Sequence, residues 1–181
     1  MNNAIFGPPG SGKTTQAKLL AEKLNLNFLD SGTVLRASFD TEFGNKAKEY
    51  MDRGELVPDE LQFQIVGDYV AKECDPNKGF VFTGFPRTFE QISFMENMFG
   101  GGFDKVFVLV VSKEEFLKRL AKRAILENRS DETPEAIEER LSEYNSKTTP
   151  VINYYREKGV VEEINGERSV EEIFEDILAR V

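Results

Sequence analysis

The stretch Gly7-Pro8-Pro9-Gly10-Ser11-Gly12-Lys13-Thr14 decides how the rest of the chain is read. It satisfies G-x-x-x-x-G-K-[ST] at every constrained position, and each part has a physical reason. Glycines let backbone N–H groups turn inward around a phosphate. A helix starting directly after the loop adds its free N–H groups and the positive end of its dipole. Lys13 can reach the β/γ phosphates, and the Thr14 hydroxyl can face Mg²⁺. The competing reading is a chance Gly-rich turn. The flanks argue against it: Asn3 to Gly7 reads as a short strand, and Lys13 to Leu24 as a helix with Ala17, Leu20, Ala21 and Leu24 on one face. The loop alone does not separate a kinase from a GTPase or a mechanical ATPase. Asn77-Lys78-Gly79-Phe80 lacks the aspartate of the Asn-Lys-x-Asp base reader that a GTPase usually carries.

Outward from the loop, short apolar strands alternate with helices. Strands are expected at Asn27 to Asp30, Gly79 to Thr83, Val106 to Val111 and Val160 to Ile164. Helices are expected at Leu61 to Glu73, Arg87 to Phe99 and Lys113 to Glu127. Thr133 and Pro134 open one long helix whose apolar face runs Ile137, Leu141, Tyr144, Val151, Ile152 and Tyr155 as far as Gly159. A last amphipathic stripe runs from Val170 to Val181. This alternation predicts an α/β fold: a parallel sheet covered by helices on both faces. The stretch from Asp30 to Leu61 is more polar, with helical pieces broken at Gly44, Gly54 and Pro58.

Composition narrows the chemistry. The 181 residues carry 32 acidic and 23 basic side chains, a formal net charge of −9, with no histidine and one cysteine, Cys74. Without histidine there is no Ser-His-Asp or Cys-His triad and no imidazole base. One cysteine excludes an internal disulfide and a Cys-rich zinc site. The acidic balance argues against a nucleic-acid partner. The longest apolar run, Val106 to Val111, is too short to span a bilayer, and no signal peptide is visible, so a cytoplasmic protein is expected.

Six arginines form the second signal: Arg36, Arg87, Arg119, Arg123, Arg129 and Arg140. Arg119 and Arg123 are four apart and share a helix face. A solvated basic stripe is the ordinary reading. Beside a phosphate loop, the same residues are what phosphoryl transfer needs, because guanidinium forks hold charge spread over phosphate oxygens.

The loop together with Thr15-Gln16-Ala17, Ser31-Gly32-Thr33-Val34-Leu35-Arg36, Gly84-Phe85-Pro86-Arg87-Thr88 and Gln91 resembles an adenylate kinase. The run from Lys122-Arg123 through Asn128-Arg129-Ser130-Asp131-Glu132 to Arg140-Leu141 resembles the short-lid type of that family. Asn165 to Glu172 resembles its last strand-to-helix turn. The resemblance covers essentially the whole chain. It implies a single P-loop NTPase-type domain over 1–181 with five strands, an NMP-binding helical insertion at 31–59 and a short lid at 122–132, both of which move. It implies Mg²⁺-dependent ATP + AMP ⇌ 2 ADP, no zinc, and a monomer. Carried over by position, Gly10, Ser11, Gly12, Lys13, Thr14 and Thr15 hold the ATP phosphates. Arg119 packs on the ATP adenine, Arg123 binds ATP phosphate, and the backbone near Arg168 reads the adenine edge. Arg36 and Arg87 hold the AMP phosphate, and Arg129 and Arg140 bridge the two phosphate chains. Ser31, Gly32, Glu55, Leu56, Val57, Gly84, Phe85, Pro86 and Gln91 line the AMP site, with Gln91 hydrogen-bonding the base. Lys13, Arg87, Arg123, Arg129 and Arg140 form the catalytic set.

Two departures stand out. The family usually carries Asp where this chain has Thr33 and Thr83, so both carboxylates near the metal are missing. Asp30 can substitute by organising the Mg²⁺ shell with Thr14; it can equally be a helix cap. Thr88, Gln91 and Ser31 match the AMP type, whereas UMP/CMP relatives tend to carry Asn at the first two and Ala at the third. A UMP/CMP kinase and a catalytically weakened nucleotide-binding regulator are the alternatives; the retained arginines argue against the second.

Overall fold

The computed structural model describes residues 1–127 and 133–181, with the backbone alone over 123–127. Five strands, β1 (Asn2–Phe6), β2 (Asn27–Asp30), β3 (Phe80–Thr83), β4 (Lys105–Val110) and β5 (Val161–Asn165), form one sheet in the order β2-β3-β1-β4-β5. Every neighbouring pair is parallel, with Ile5 opposite Thr83 and Phe107, and Asp30 opposite Thr83. The helices are α1 (Lys13–Leu24), α2 (Ser31–Ala37), α3 (Glu42–Arg53), α4 (Asp59–Glu73), α5 (Phe89–Phe99), α6 (Lys113–Glu127), α7 (Pro134–Glu143), α8 (Thr149–Glu157) and α9 (Val170–Leu178).

The two-residue period of the strands sorts the core into two layers. Ala4, Phe6, Phe80, Phe82, Val106 and Val108 pack with Ile92 and Met95 of α5 and Ile152 and Tyr155 of α8. The residues between them, Ile5, Val81, Phe107 and Leu109, pack on the opposite face with Leu20 of α1 and Ile177 of α9. Each fully buried side chain of this kind contributes about 1.5–3 kcal/mol. The β1–α1–β2 and β3–α5–β4 connections therefore run over opposite faces. Their divergence leaves a crevice at the carboxyl end of β1, where open α/β sheets bind ligands. The expected five-stranded α/β fold is the one observed.

The 31–59 stretch forms α2, α3 and the start of α4. It packs with α4 around a separate small core, Val34, Leu35, Ala47 and Val57 from the stretch and Ile65 from α4. Of the residues expected to form a lid, 122–127 are the end of α6, and 128–132 lie outside the described residues.

One expectation is corrected. The single helix expected from Thr133 to Gly159 is two helices joined by a π-helical turn, Tyr144–Thr148. Pro150, in the first turn of α8, has no N–H to give the carbonyl four residues back, and its ring crowds that carbonyl. The chain widens instead: the Thr149 N–H donates to Tyr144 O, five residues back, and Thr149 Oγ1 donates to the same oxygen at 3.2 Å. Among the described residues no helix is long and apolar enough to cross a membrane.

Candidate active site

Lys13 begins α1, and Gly12 stands at its N-cap with no side chain to occupy the first N–H groups. Gly10 has φ 78°, and a Cβ there would lie 2.9 Å from Phe116 O and 3.0 Å from Leu120 Cγ, so the loop is pressed against α6. Only glycine meets both demands at that position. Ser11 is fully buried; its N–H donates to Pro8 O at 3.1 Å, while its Oγ has no partner. Lys13 Nζ donates to Pro8 O at 3.2 Å, across the mouth of the loop.

Gly10, Gly12, Lys13, Thr14 and Thr15 line a cavity together with Lys18, Asp30, Arg36 and Arg119. Arg119 reaches it from α6. Its Nε donates to Glu115 at 2.7 Å and its Nη1 to Ser11 O at 3.3 Å. The basic helix is thus turned towards the loop at this residue.

Asp30 ends β2 on the face that meets α1. Its Oδ1 accepts from Gly32 N at 3.2 Å, and its Oδ2 accepts from Thr33 Oγ1 at 2.8 Å and Thr14 Oγ1 at 3.3 Å. The carboxylate is therefore a cap for α2 and also a partner of the loop threonine. Its register neighbour, Thr83, is buried with its Oγ1 unpartnered. Among the described residues no cluster of three His, Cys, Asp or Glu could hold a metal.

A second cavity adjoins the first. Ser31, Gly32, Arg36, Glu55, Leu56, Val57, Arg87 and Arg140, all expected from the sequence, line it. Ser31 Oγ donates to Gly84 O at 2.6 Å, and Arg87 Nε donates to the same carbonyl at 2.7 Å, tying α2 to the turn after β3. Burial, and then the nearby Arg140 guanidinium, pull the Arg87 pKa down to about 10. Three guanidiniums thus line one cavity in a protein of net charge −9, a local concentration of positive charge. Lys13, Gly84, Arg87 and Arg140 share the wall of a narrow space between the two cavities.

Other expected residues sit elsewhere. Phe85 is wholly buried against Phe94, and Pro86 is buried beside it. Gln91 is fully buried, and its carboxamide is engaged by Arg87 N, Asp59 and Gln62. Arg168 pairs with Asp176 of α9 and borders neither cavity. The Arg123 side chain and Arg129 lie outside the described residues. Sequence reasoning missed Leu35, Met51, Gly54 and Gln62 in the second cavity and Lys18 in the first. Gln62 carried a signal: it falls on the buried face of α4 with Ile65 and Val66, where helical spacing calls for an apolar residue.

Comparison with known proteins bears on this geometry. A family model described as "Adenylate kinase" matches residues 5–160. An adenylate kinase of Leptospira biflexa is 43% identical over 187 aligned positions, covering 100% of both chains. One of Thermobifida fusca is 42% identical over 178 positions, 96% of this chain and 94% of its own. One of Azobacteroides pseudotrichonymphae is 41% identical over 186 positions, 100% of this chain and 97% of its own.

Proposed function

The chain belongs to the adenylate kinase family, and on that premise we propose that it transfers the γ-phosphoryl group of ATP to AMP, reversibly, giving two ADP. The observation that carries this reading is the junction of the cavities. The phosphate loop and an arginine-lined pocket meet at one narrow space, and Lys13, Arg87 and Arg140 stand together on its wall.

In this reading the loop amides from Gly10 to Thr15 and Lys13 hold the ATP phosphates, and Arg119 lies along the base side. Arg36 and Arg87 hold the AMP phosphate. Arg140 stabilises the charge of the group in transit, and the family pattern adds Arg123 and Arg129 to that role. Transfer needs positioning and electrostatic stabilisation more than a base, which suits a chain without histidine. In the family pattern the 31–59 unit, which packs with α4 around a separate small core, closes over AMP, and the lid expected at 122–132, of which 128–132 lie outside the described residues, closes over ATP; such closure excludes water as the competing acceptor.

Mg²⁺ fits the oxygen donors at the loop. The Thr14 hydroxyl, the Asp30 carboxylate beside it and the unpartnered Thr83 hydroxyl are hard oxygen donors that would hold a hydrated ion, directly or through its waters. When bound, the ion would neutralise charge on the β- and γ-phosphates. Asp30→Asn separates this role from capping, because Asn keeps an acceptor for Gly32 N. Calorimetric titration of ATP at graded Mg²⁺ should need several-fold more Mg²⁺ in the variant; an unchanged requirement would leave Asp30 as a cap only.

A coupled assay of ADP formation from ATP with AMP, CMP or UMP tests the activity. AMP should be the best acceptor. Preference for CMP or UMP would move the chain to the pyrimidine type, and no turnover with any acceptor despite ATP binding would make it a regulator.

A further inference from the structure

Asp30 is 7% exposed at the end of β2, and its carboxylate faces both halves of the site. On the loop side, its Oδ2 accepts from Thr14 Oγ1 at 3.3 Å, and the residue borders the loop cavity with Lys13 and Arg119. On the other side stand the guanidiniums of the arginine-lined cavity. A Cβ on Gly84 would lie 3.2 Å from Asp30 Oδ1 and 3.2 Å from Arg87 Nη2. A Cβ on Gly32 would lie 3.6 Å from the same oxygen and 3.2 Å from Arg36 Nη2. Two bare α-carbons thus leave the room in which one carboxylate stands beside both guanidiniums. Its negative charge favours the charged form of Arg87, as a nearby counter-ion does. Both oxygens are anchored in the first turn of α2: Oδ1 accepts from Gly32 N at 3.2 Å and Oδ2 from Thr33 Oγ1 at 2.8 Å. A phosphate held by Arg36 and Arg87 must therefore approach an anchored group of its own sign.

We propose that Asp30 couples the two halves of the site by charge: it weakens binding of the acceptor phosphate while the loop half is empty, and the weakening is lifted when a divalent cation and nucleotide take up its carboxylate. The inference rests on reading the second cavity as the AMP site and Asp30 as a holder of Mg²⁺. In the empty site the carboxylate offsets the repulsion between the gathered guanidiniums. An arriving phosphate competes with it for Arg36 and Arg87 and is also repelled by it. In a partly buried site, one like charge at this range changes an affinity by about tenfold. Coupling of this kind is reciprocal, so AMP favours binding of the metal and nucleotide by the same factor. The complete complex is thereby favoured over a site with AMP alone.

The test is calorimetric binding of AMP and of adenosine to the full-length wild type, Asp30→Asn, Asp30→Ser and Asp30→Glu. Each is measured without ATP, and again with a non-hydrolysable ATP analogue and Mg²⁺. Asn and Ser keep a cap acceptor and remove the charge, whereas Glu keeps the charge. Without the analogue, AMP should bind Asp30→Asn and Asp30→Ser about tenfold more tightly than the wild type, and Asp30→Glu about as the wild type. Adenosine, which has no phosphate, should bind all four alike. The gain in AMP affinity from Mg²⁺ and analogue should be about tenfold larger in the wild type than in the uncharged variants. Loss of a merely structural residue would not tighten AMP binding. Unchanged or weaker AMP binding by both uncharged variants, or equal tightening of adenosine, would overturn the coupling and leave AMP as the acceptor. The wild-type comparison stands even if no variant folds: no gain from Mg²⁺ and analogue would overturn the coupling. A wild type that neither binds nor turns over AMP would overturn the functional reading and this inference with it.

Discussion

The phosphate loop and the arginine-lined cavity beside it are both suited to phosphate, but they are built from different materials. The loop is backbone. Its shape follows from glycine conformations and from the start of α1 on the carboxyl end of the central strand, within the main core. The second cavity is made of side chains. Arg36 comes from α2, Arg87 from the turn after β3 and Arg140 from α7, three elements far apart in sequence. It rests partly on a separate small core. A site of backbone amides is preorganised by the chain itself. A site of converging guanidiniums must bring like charges together and desolvate them, as the lowered pKa of Arg87 records. The first is suited to hold a substrate in place, and the second to tighten when an anion arrives.

Substitutions can break or sharpen that contrast. Lys13→Met should give the largest effect, a fall in kcat of about 10²–10³, since it removes a preorganised charge aimed at the transferred group. Steady-state kinetics should show this with KM for AMP little changed. Arg36→Ala should act mainly on the other half, raising KM for AMP about 10- to 100-fold through the loss of a charged hydrogen bond, with a several-fold smaller change in KM for ATP because Arg36 also borders the loop cavity. Equal effects on both substrates would mean that the halves are not separate.

The depressed Arg87 pKa gives a third expectation. A bound phosphate raises it again, so AMP binding takes up protons only near and above pH 10, where the free guanidinium is partly deprotonated, and none near neutrality. Affinity is then highest below about 10 and falls as pH rises through that value. In Arg87→Lys the fall should come roughly two units lower, following the difference between the ordinary arginine and lysine values. Calorimetry in buffers of different ionisation enthalpy checks the sign. The smallest effect should come from Gly54→Ala. Gly54 has φ 80°, and a Cβ would lie 2.3 Å from Ala136 O, where the end of α3 meets the start of α7. The strain of a left-handed alanine, about 1–2 kcal/mol, and the overlap together should lower Tm by at least about 4 °C, read by calorimetry.

The same contrast explains what could be read from the sequence. Eight consecutive residues carried the loop, and α1, β2 and α6 fall where apolar spacing put them. The second cavity depends on long-range convergence, so Arg36, Arg87 and Arg140 stood out as arginines beside a phosphate loop, but their meeting in one cavity was legible only through a family resemblance. Gln62 was not legible that way. Its hydrogen-bond setting depends on Asp59, Gln91 and the Arg87 backbone, which no local pattern joins, although a polar residue at an apolar helical position marked the place. The π-helical turn was hidden by the opposite effect: its apolar face continues the helical stripe, and only Pro150 betrays the break.

The most direct test of a two-part site built for transfer, and not for hydrolysis, is the initial rate of ADP formation from MgATP with and without AMP. Rapid formation of two ADP for each ATP consumed, only when AMP is present, is expected. Phosphate release from ATP alone, at a rate that AMP does not change, would contradict it.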